Sequence, residues 1–119
     1  MRKPTLKSAR KRAWQAFSEW VRRKGICYTC GARKEPSDMH AGHFRHNKLD
    51  FDAMNVKCQC KKCNTYLSGN LGIFGVNLIR EYGQEAIDDL IMRSNQPHKY
   101  TIEELLDIED KYKNLLKEA

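Results

Sequence analysis

Apolar residues recur at intervals of three or four along Leu6, Ala9, Ala13, Ala16, Phe17, Trp20 and Val21, with Lys7, Arg10, Lys11, Arg22 and Arg23 between them. Such spacing gives a helix one apolar stripe and one cationic face. Thr5, after Pro4, supplies a capping hydroxyl and Gly25 suits the left-handed position past the end, so the spacing predicts a helix over 5–24. Trp14 and Trp20 read as packing residues rather than base-stacking platforms. Beyond Asn70 a second stripe, Ile73, Val76, Leu78, Ile79 and Tyr82, closes at Gly83, although Gly75 weakens helix propensity inside it. Ala86, Ile87, Leu90 and Ile91 mark a third helix, stopped by Asn95-Gln96-Pro97. A fourth begins at Thr101, which forms a Thr-x-x-Glu capping box with Glu104, and buries Leu105, Ile108, Tyr112 and Leu115.

The stretch between these helices is organised by cysteines. Cys27-x-x-Cys30-Gly31 has the form of a metal knuckle, in which two thiolates grip one ion while amides of the tight turn face the sulfurs. A second pair, Cys60-x-x-Cys63, completes the four thiolates of a structural zinc site. Cys58 is a third thiol for the second pair, and residues 58 and 60 share a face on a strand. Cys60 is the preferred ligand because, with Cys63, it repeats the spacing of Cys27 with Cys30. Cys58 then serves as a small buried hydrophobe. The 29 residues between the pairs exceed the usual zinc-ribbon gap and must form a structure of their own.

Length and charge narrow the setting. The chain has 119 residues and a mass of 13.9 kDa, enough for one domain with one modest core. Within it, residues 1–25 form the basic helix, 26–72 the zinc-bound centre and 73–119 the carboxy-terminal helices. Five cysteines, an odd number with no hydrophobic leader, argue against a secreted disulfide framework and for metal-bound thiolates in a reducing cytoplasm. No apolar run is long enough to cross a bilayer, so a soluble protein is expected. The net charge of +7 is unevenly spread: residues 1–24 carry nine Lys or Arg against one acid, 25–70 seven against four, and 71–119 six against ten. A basic amino-terminal half with an acidic scaffold behind it points to nucleic acid as partner. The residues offered to phosphate are Lys7, Arg10, Lys11, Arg22, Arg23 and Lys48.

The centre also reads Asp38-Met39-His40-Ala41-Gly42-His43-Phe44-Arg45, then Phe51-Asp52-x-x-Asn55-Val56, Gln59-Cys60-x-x-Cys63-Asn64 and Ser68-Gly69-Asn70-Leu71. In these motifs, and in Tyr82-Gly83-Gln84-Glu85-Ala86 and Tyr100-Thr101-Ile102-Glu103-Glu104, the chain resembles the phage lambda NinG, or Rap, recombination proteins. More distantly it is similar to HNH endonuclease fingers, and its Cys-x-x-Cys-Asn ending to phage endonuclease VII. The resemblance implies an α+β fold with a zinc-stapled ββα-metal core, flanked by the amino-terminal amphipathic helix and the carboxy-terminal helices. It also implies a phage or prophage protein that cleaves branched recombination intermediates such as Holliday junctions or D-loops.

By the same resemblance His43 is the general base, Asn55 the amide that ties the hairpin loop around it, and Asn64 a ligand of a catalytic Mg²⁺ or Mn²⁺ ion. Arg45 stands beside the base as a phosphate clamp. Many HNH proteins place a second ligand immediately before the base, where this chain has Gly42, so His40 becomes the candidate. His40 and His43 face opposite sides of a regular strand. Glycine permits a bulge, and irregular backbone at Ala41-Gly42 is expected to turn both imidazoles toward Asn64. Three functions fit these residues: a branch-selective endonuclease acting as a homodimer, a zinc-stabilised module that binds junctions without cutting, and an HNH nicking enzyme without branch preference.

Overall fold

In the computed structural model the described residues are 3–46, 49–96 and 98–118. In chain order they form α1 (Leu6–Arg22), β1 (His40–His43), β2 (Val56–Gln59), α2 (Leu71–Tyr82), α3 (Gln84–Ser94) and α4 (Ile102–Glu118). A 3-10 turn at Pro36–Asp38 precedes β1, and a π turn at Lys62–Tyr66 follows β2. This is a mixed α+β arrangement whose only sheet, among the described residues, is the antiparallel pair β1–β2. No helix among the described residues is long and apolar enough to cross a membrane.

The chain divides into two compact units, one made of residues up to Trp20 with those from Lys99 onward, the other of Val21–His98. In the first, Ala9, Ala13 and Phe17 are fully buried along α1. The Phe17 ring meets Tyr112 of α4 edge-on at 4.8 Å, and Trp20 reaches the same ring at 5.1 Å. Arg12 pairs with the buried Glu109 at 2.9 Å, and Lys113 closes on it from the next turn. The last helix thus groups with the first. Both caps form: Thr5 Oγ1 accepts from Ser8 N–H, and Thr101 and Glu104 bond reciprocally.

The second unit is built on Phe74, Leu78, Ile87 and Leu90, packed between α2 and α3, with Tyr28 and Phe44 against them. The helix read over this stripe forms as α2, ending at Gly83, but not all of its apolar residues turn inward. The stripe Ile73, Val76 and Tyr82 lies exposed, at 46, 45 and 36 %, while Phe74 is fully buried. The rings of Phe44 on the hairpin and of Tyr28 lie 5.5 and 5.6 Å from that of Phe74, and with α3 they cover the inward face of α2. The Phe44 contact explains Gly75 inside the helix, because a Cβ there would lie 3.3 Å from the Phe44 ring.

Candidate metal centre and active site

The knuckle at Cys27 is closed by its own backbone. Gly31 N–H donates to Cys27 O, Cys27 N–H donates to Ala32 O, and Ile26 bridges Arg33. The second pair sits where β2 ends and the π turn begins, with Asn64 N–H bonded to Cys60 O and Leu67 N–H to Lys62 O. These two turns bring the sulfurs of Cys27, Cys30, Cys60 and Cys63 within 4.8 Å of one another. Cys30 Sγ and Cys60 Sγ are 3.6 Å apart, close to the separation of about 3.8 Å that a tetrahedral zinc with Zn–S of about 2.3 Å imposes. Donor number, donor type and spacing fit one zinc ion. Cys58 lies outside the group and is buried on β2. Burial, together with the nearby Cys27, pushes its thiol up to about 11, so it remains an uncharged packing residue.

Hydrogen bonds tune the cluster. Burial raises the Cys27 thiol, but the Thr29 hydroxyl and the backbone N–H groups of Cys60, Cys30 and Thr29 outweigh it and bring it down to about 6. At Cys30 the Ala32 backbone N–H acts downward, yet burial and the other three sulfurs push the thiol up to about 12. Without metal the raised Cys30 thiol stays protonated at neutral pH, so loading the site must release protons. Asn70, held at φ 48°, aims its amide at Cys63 Sγ from 3.8 Å.

The strand above this cluster departs from expectation. β1 is paired residue for residue with β2: His40 with Gln59, Ala41 with Cys58, Gly42 with Lys57 and His43 with Val56. There is no bulge at Ala41-Gly42, so the expectation that both imidazoles turn toward Asn64 is corrected: on this regular strand His40 alone meets Asn64, and His43 lies on the opposite face beside Asp50. His40 and Gly42 share one face by the two-residue period, and that face looks onto the π turn, where Asn64 Nδ2 meets His40 Nδ1 at 2.9 Å. A Cβ on Gly42 would overlap Gln59 Oε1 and lie 3.0 Å from Asn64 Oδ1. The glycine is therefore a close-approach position and not a hinge.

His43 is half-buried, with Nε2 3.5 Å from Asp50 Oδ1 and its ring 6.1 Å from that of His46. Burial holds its pKa below the ordinary 6.5; Asp50 acts upward and His46 downward. The loop beyond it is tied by Asn55, which is fully buried. Its Oδ1 accepts from Arg45 N–H at 2.8 Å, and its Nδ2 donates to Arg45 O and Leu49 O. Arg45 itself does not extend as a clamp: its guanidinium bonds Ser94 Oγ at 3.0 Å and Asn95 Oδ1 at the end of α3.

Of the residues offered to phosphate, Lys7, Arg10 and Lys11 are exposed and Arg22 and Arg23 half-buried. Arg22 donates to Pro36 O, and Arg10 lies over the Tyr100 ring; Lys48 falls outside the described residues. One residue that the sequence reading passed over is Gln59, fully buried beside His40. The only signal for it was its place one residue before Cys60, which means little until the strand register is known.

The comparisons with known proteins agree with the motifs. The protein named ninG of Escherichia phage 933W is 36% identical over 115 residues, covering 91% of this chain and 56% of that protein. The phage lambda protein of the same name is also 36% identical over 115 residues, and that of Salmonella phage P22 is 34% identical. The chain spans about half the length of these curated relatives. No solved structure matches it. The family described as Bacteriophage Lambda NinG protein matches residues 1–119, and the chain belongs to that family.

Proposed function

We propose that the protein is a zinc-stapled, metal-dependent endonuclease that cleaves branched DNA, such as Holliday junctions and D-loops, during phage recombination in the host cytoplasm. One observation carries the reading. The turn that bears two cluster cysteines also bears Asn64, which meets His40 on the adjacent strand, three residues from a half-buried histidine with a depressed pKa.

In this reading the His40 imidazole and the Asn64 side-chain oxygen would hold a divalent ion, Mg²⁺ or Mn²⁺, the hydrogen bond between His40 Nδ1 and Asn64 Nδ2 giving way to it. When bound, the ion supplies positive charge to the attacked phosphate and the leaving 3′ oxygen. His43, neutral at pH 7, accepts the proton of the attacking water. The water oxygen bonds to phosphorus, the bond to the 3′ oxygen breaks, and that oxygen takes a proton from solvent. Asp50 stabilises the imidazolium so formed. Asn55 holds the backbone that carries the base. Lys7, Arg10 and Lys11 bind the DNA backbone. Paired symmetric cuts call for two such sites, hence a homodimer.

The test is incubation of the zinc-loaded chain with a four-way junction and a matched linear duplex, with and without Mg²⁺ or Mn²⁺. Metal-dependent cleavage of the junction well above that of the duplex is expected. Binding without cleavage would support the non-catalytic module, and equal cutting the nicking enzyme.

The acid limb of the rate profile is expected below pH 6.5, because a histidine whose pKa is lowered stays neutral, and able to take a proton, at lower pH. Asp50→Asn removes the upward influence and should shift the limb to still lower pH; His46→Ala should shift it upward. Rate–pH curves for the three proteins check this, and a limb unmoved by Asp50→Asn would contradict it.

A further inference from the structure

We propose that the side-chain oxygen of Gln59 is a third protein ligand of the divalent ion, in the space where a side chain at position 42 would otherwise lie. The proposal rests on the reading that His40 and Asn64 form a cation site. Gln59 closes β2 opposite His40 and is fully buried. Its Nε2 donates to Gly69 O at 2.8 Å and to Thr29 Oγ1 at 3.2 Å. A backbone carbonyl only accepts, so the amide has one orientation and Oε1 is the atom turned toward Gly42. That oxygen is buried and has no hydrogen-bond partner among the described residues, a condition native proteins rarely leave unanswered.

Asn64 shows the same division of labour. Its nitrogen is engaged with His40 Nδ1, and its Oδ1 lies 3.0 Å from the point a Cβ of residue 42 would take, a point that Gln59 Oε1 overlaps. Both carboxamide oxygens are thus directed to one place beside Gly42, next to His40 on the same strand face. Neutral amide oxygens are ligands of hard divalent cations. Gly42 is what makes the convergence possible, because any larger residue would occupy the meeting point. The hydrogen bonds continue from Gln59 through Thr29 Oγ1 to Cys27 Sγ at 3.3 Å, so the cysteine cluster holds the pocket in shape from behind.

The test reads metal binding without DNA. Mn²⁺ is titrated into the zinc-loaded full chain and free Mn²⁺ is followed by electron paramagnetic resonance, for wild type, Gln59→Met and Asn64→Ala. Gln59→Met keeps side-chain length and removes the oxygen. At least a tenfold rise in the Mn²⁺ dissociation constant is expected, with zinc content and circular dichroism unchanged. In wild type, Mg²⁺ should shift the ¹³C resonance of Gln59 Cδ saturably, a measurement that stands even if the variant loses its zinc. Wild-type affinity in Gln59→Met, or a Cδ resonance indifferent to Mg²⁺ while Asn64 Cγ responds, overturns the proposal and leaves the His40–Asn64 site intact. Unchanged Mn²⁺ binding in Asn64→Ala as well would instead overturn the cation site on which it rests.

Discussion

Removing zinc with a chelator is expected to unfold the Val21–His98 unit, not merely loosen it. Its sheet has four residues in each strand, and an isolated two-stranded sheet is marginal in water. Its apolar core centres on Phe74, Leu78, Ile87 and Leu90, against which Phe44, Leu49 and Met54 of the hairpin and its loop pack. The four cysteines join the knuckle at residue 27 to the end of β2 and the turn that presents Asn64. Zinc held by such ligands contributes on the order of 10 kcal/mol or more at neutral pH, comparable with the whole stability of a small domain. Loss of the amide dispersion of this unit in step with zinc release is the expected record, and Cys60→Ser should reproduce it. Cys58→Ser should keep one equivalent of zinc, because its thiol lies outside the cluster. A zinc-free protein with an unchanged spectrum would refute the staple.

His43→Ala is expected to lower junction cleavage by about a hundredfold to ten-thousandfold, the usual worth of a positioned general base, while leaving junction binding near wild type. The residue is half-buried and its charge is disfavoured, so at pH 7 it contributes a proton acceptor and little to the attraction of phosphate. Its removal leaves the pairing of the flanking strand residues and the Asn55 bridges in place, since those bonds run through backbone and through Asn55 itself. Binding and cleavage should therefore separate. Binding assays beside single-turnover rates measure both, and a parallel loss of the two would mean that His43 serves the fold or the DNA contact instead.

What could be read from the sequence was short-range chemistry. The two Cys-x-x-Cys pairs, the Thr5 cap and the Thr101–Glu104 box are each complete within a few residues, so local spacing specifies them. The missed features depend on partners far along the chain. Ile73 and Val76 fit a helical stripe as well as Leu78 does, and it is the packing of α3, Tyr28 and Phe44 against Phe74 and Leu78 that decides which residues are covered. A glycine before His43 is equally compatible with a bulge or a close approach. The choice fell to the register that sets Gln59 opposite His40. Arg45 looked like a clamp because its neighbour is His43, yet Ser94 and Asn95, about fifty positions on, take its guanidinium.

The central claim is that a cysteine-held turn and one strand assemble a nuclease site around His43. Its most direct measurement is the single-turnover rate of four-way junction cleavage by zinc-loaded wild type and His43→Ala, each with and without Mn²⁺. Cleavage by wild type is expected only with Mn²⁺, with a rate at least about a hundredfold lower in the variant. Equal rates in the two proteins, or no cleavage by wild type in the presence of Mn²⁺, would contradict it.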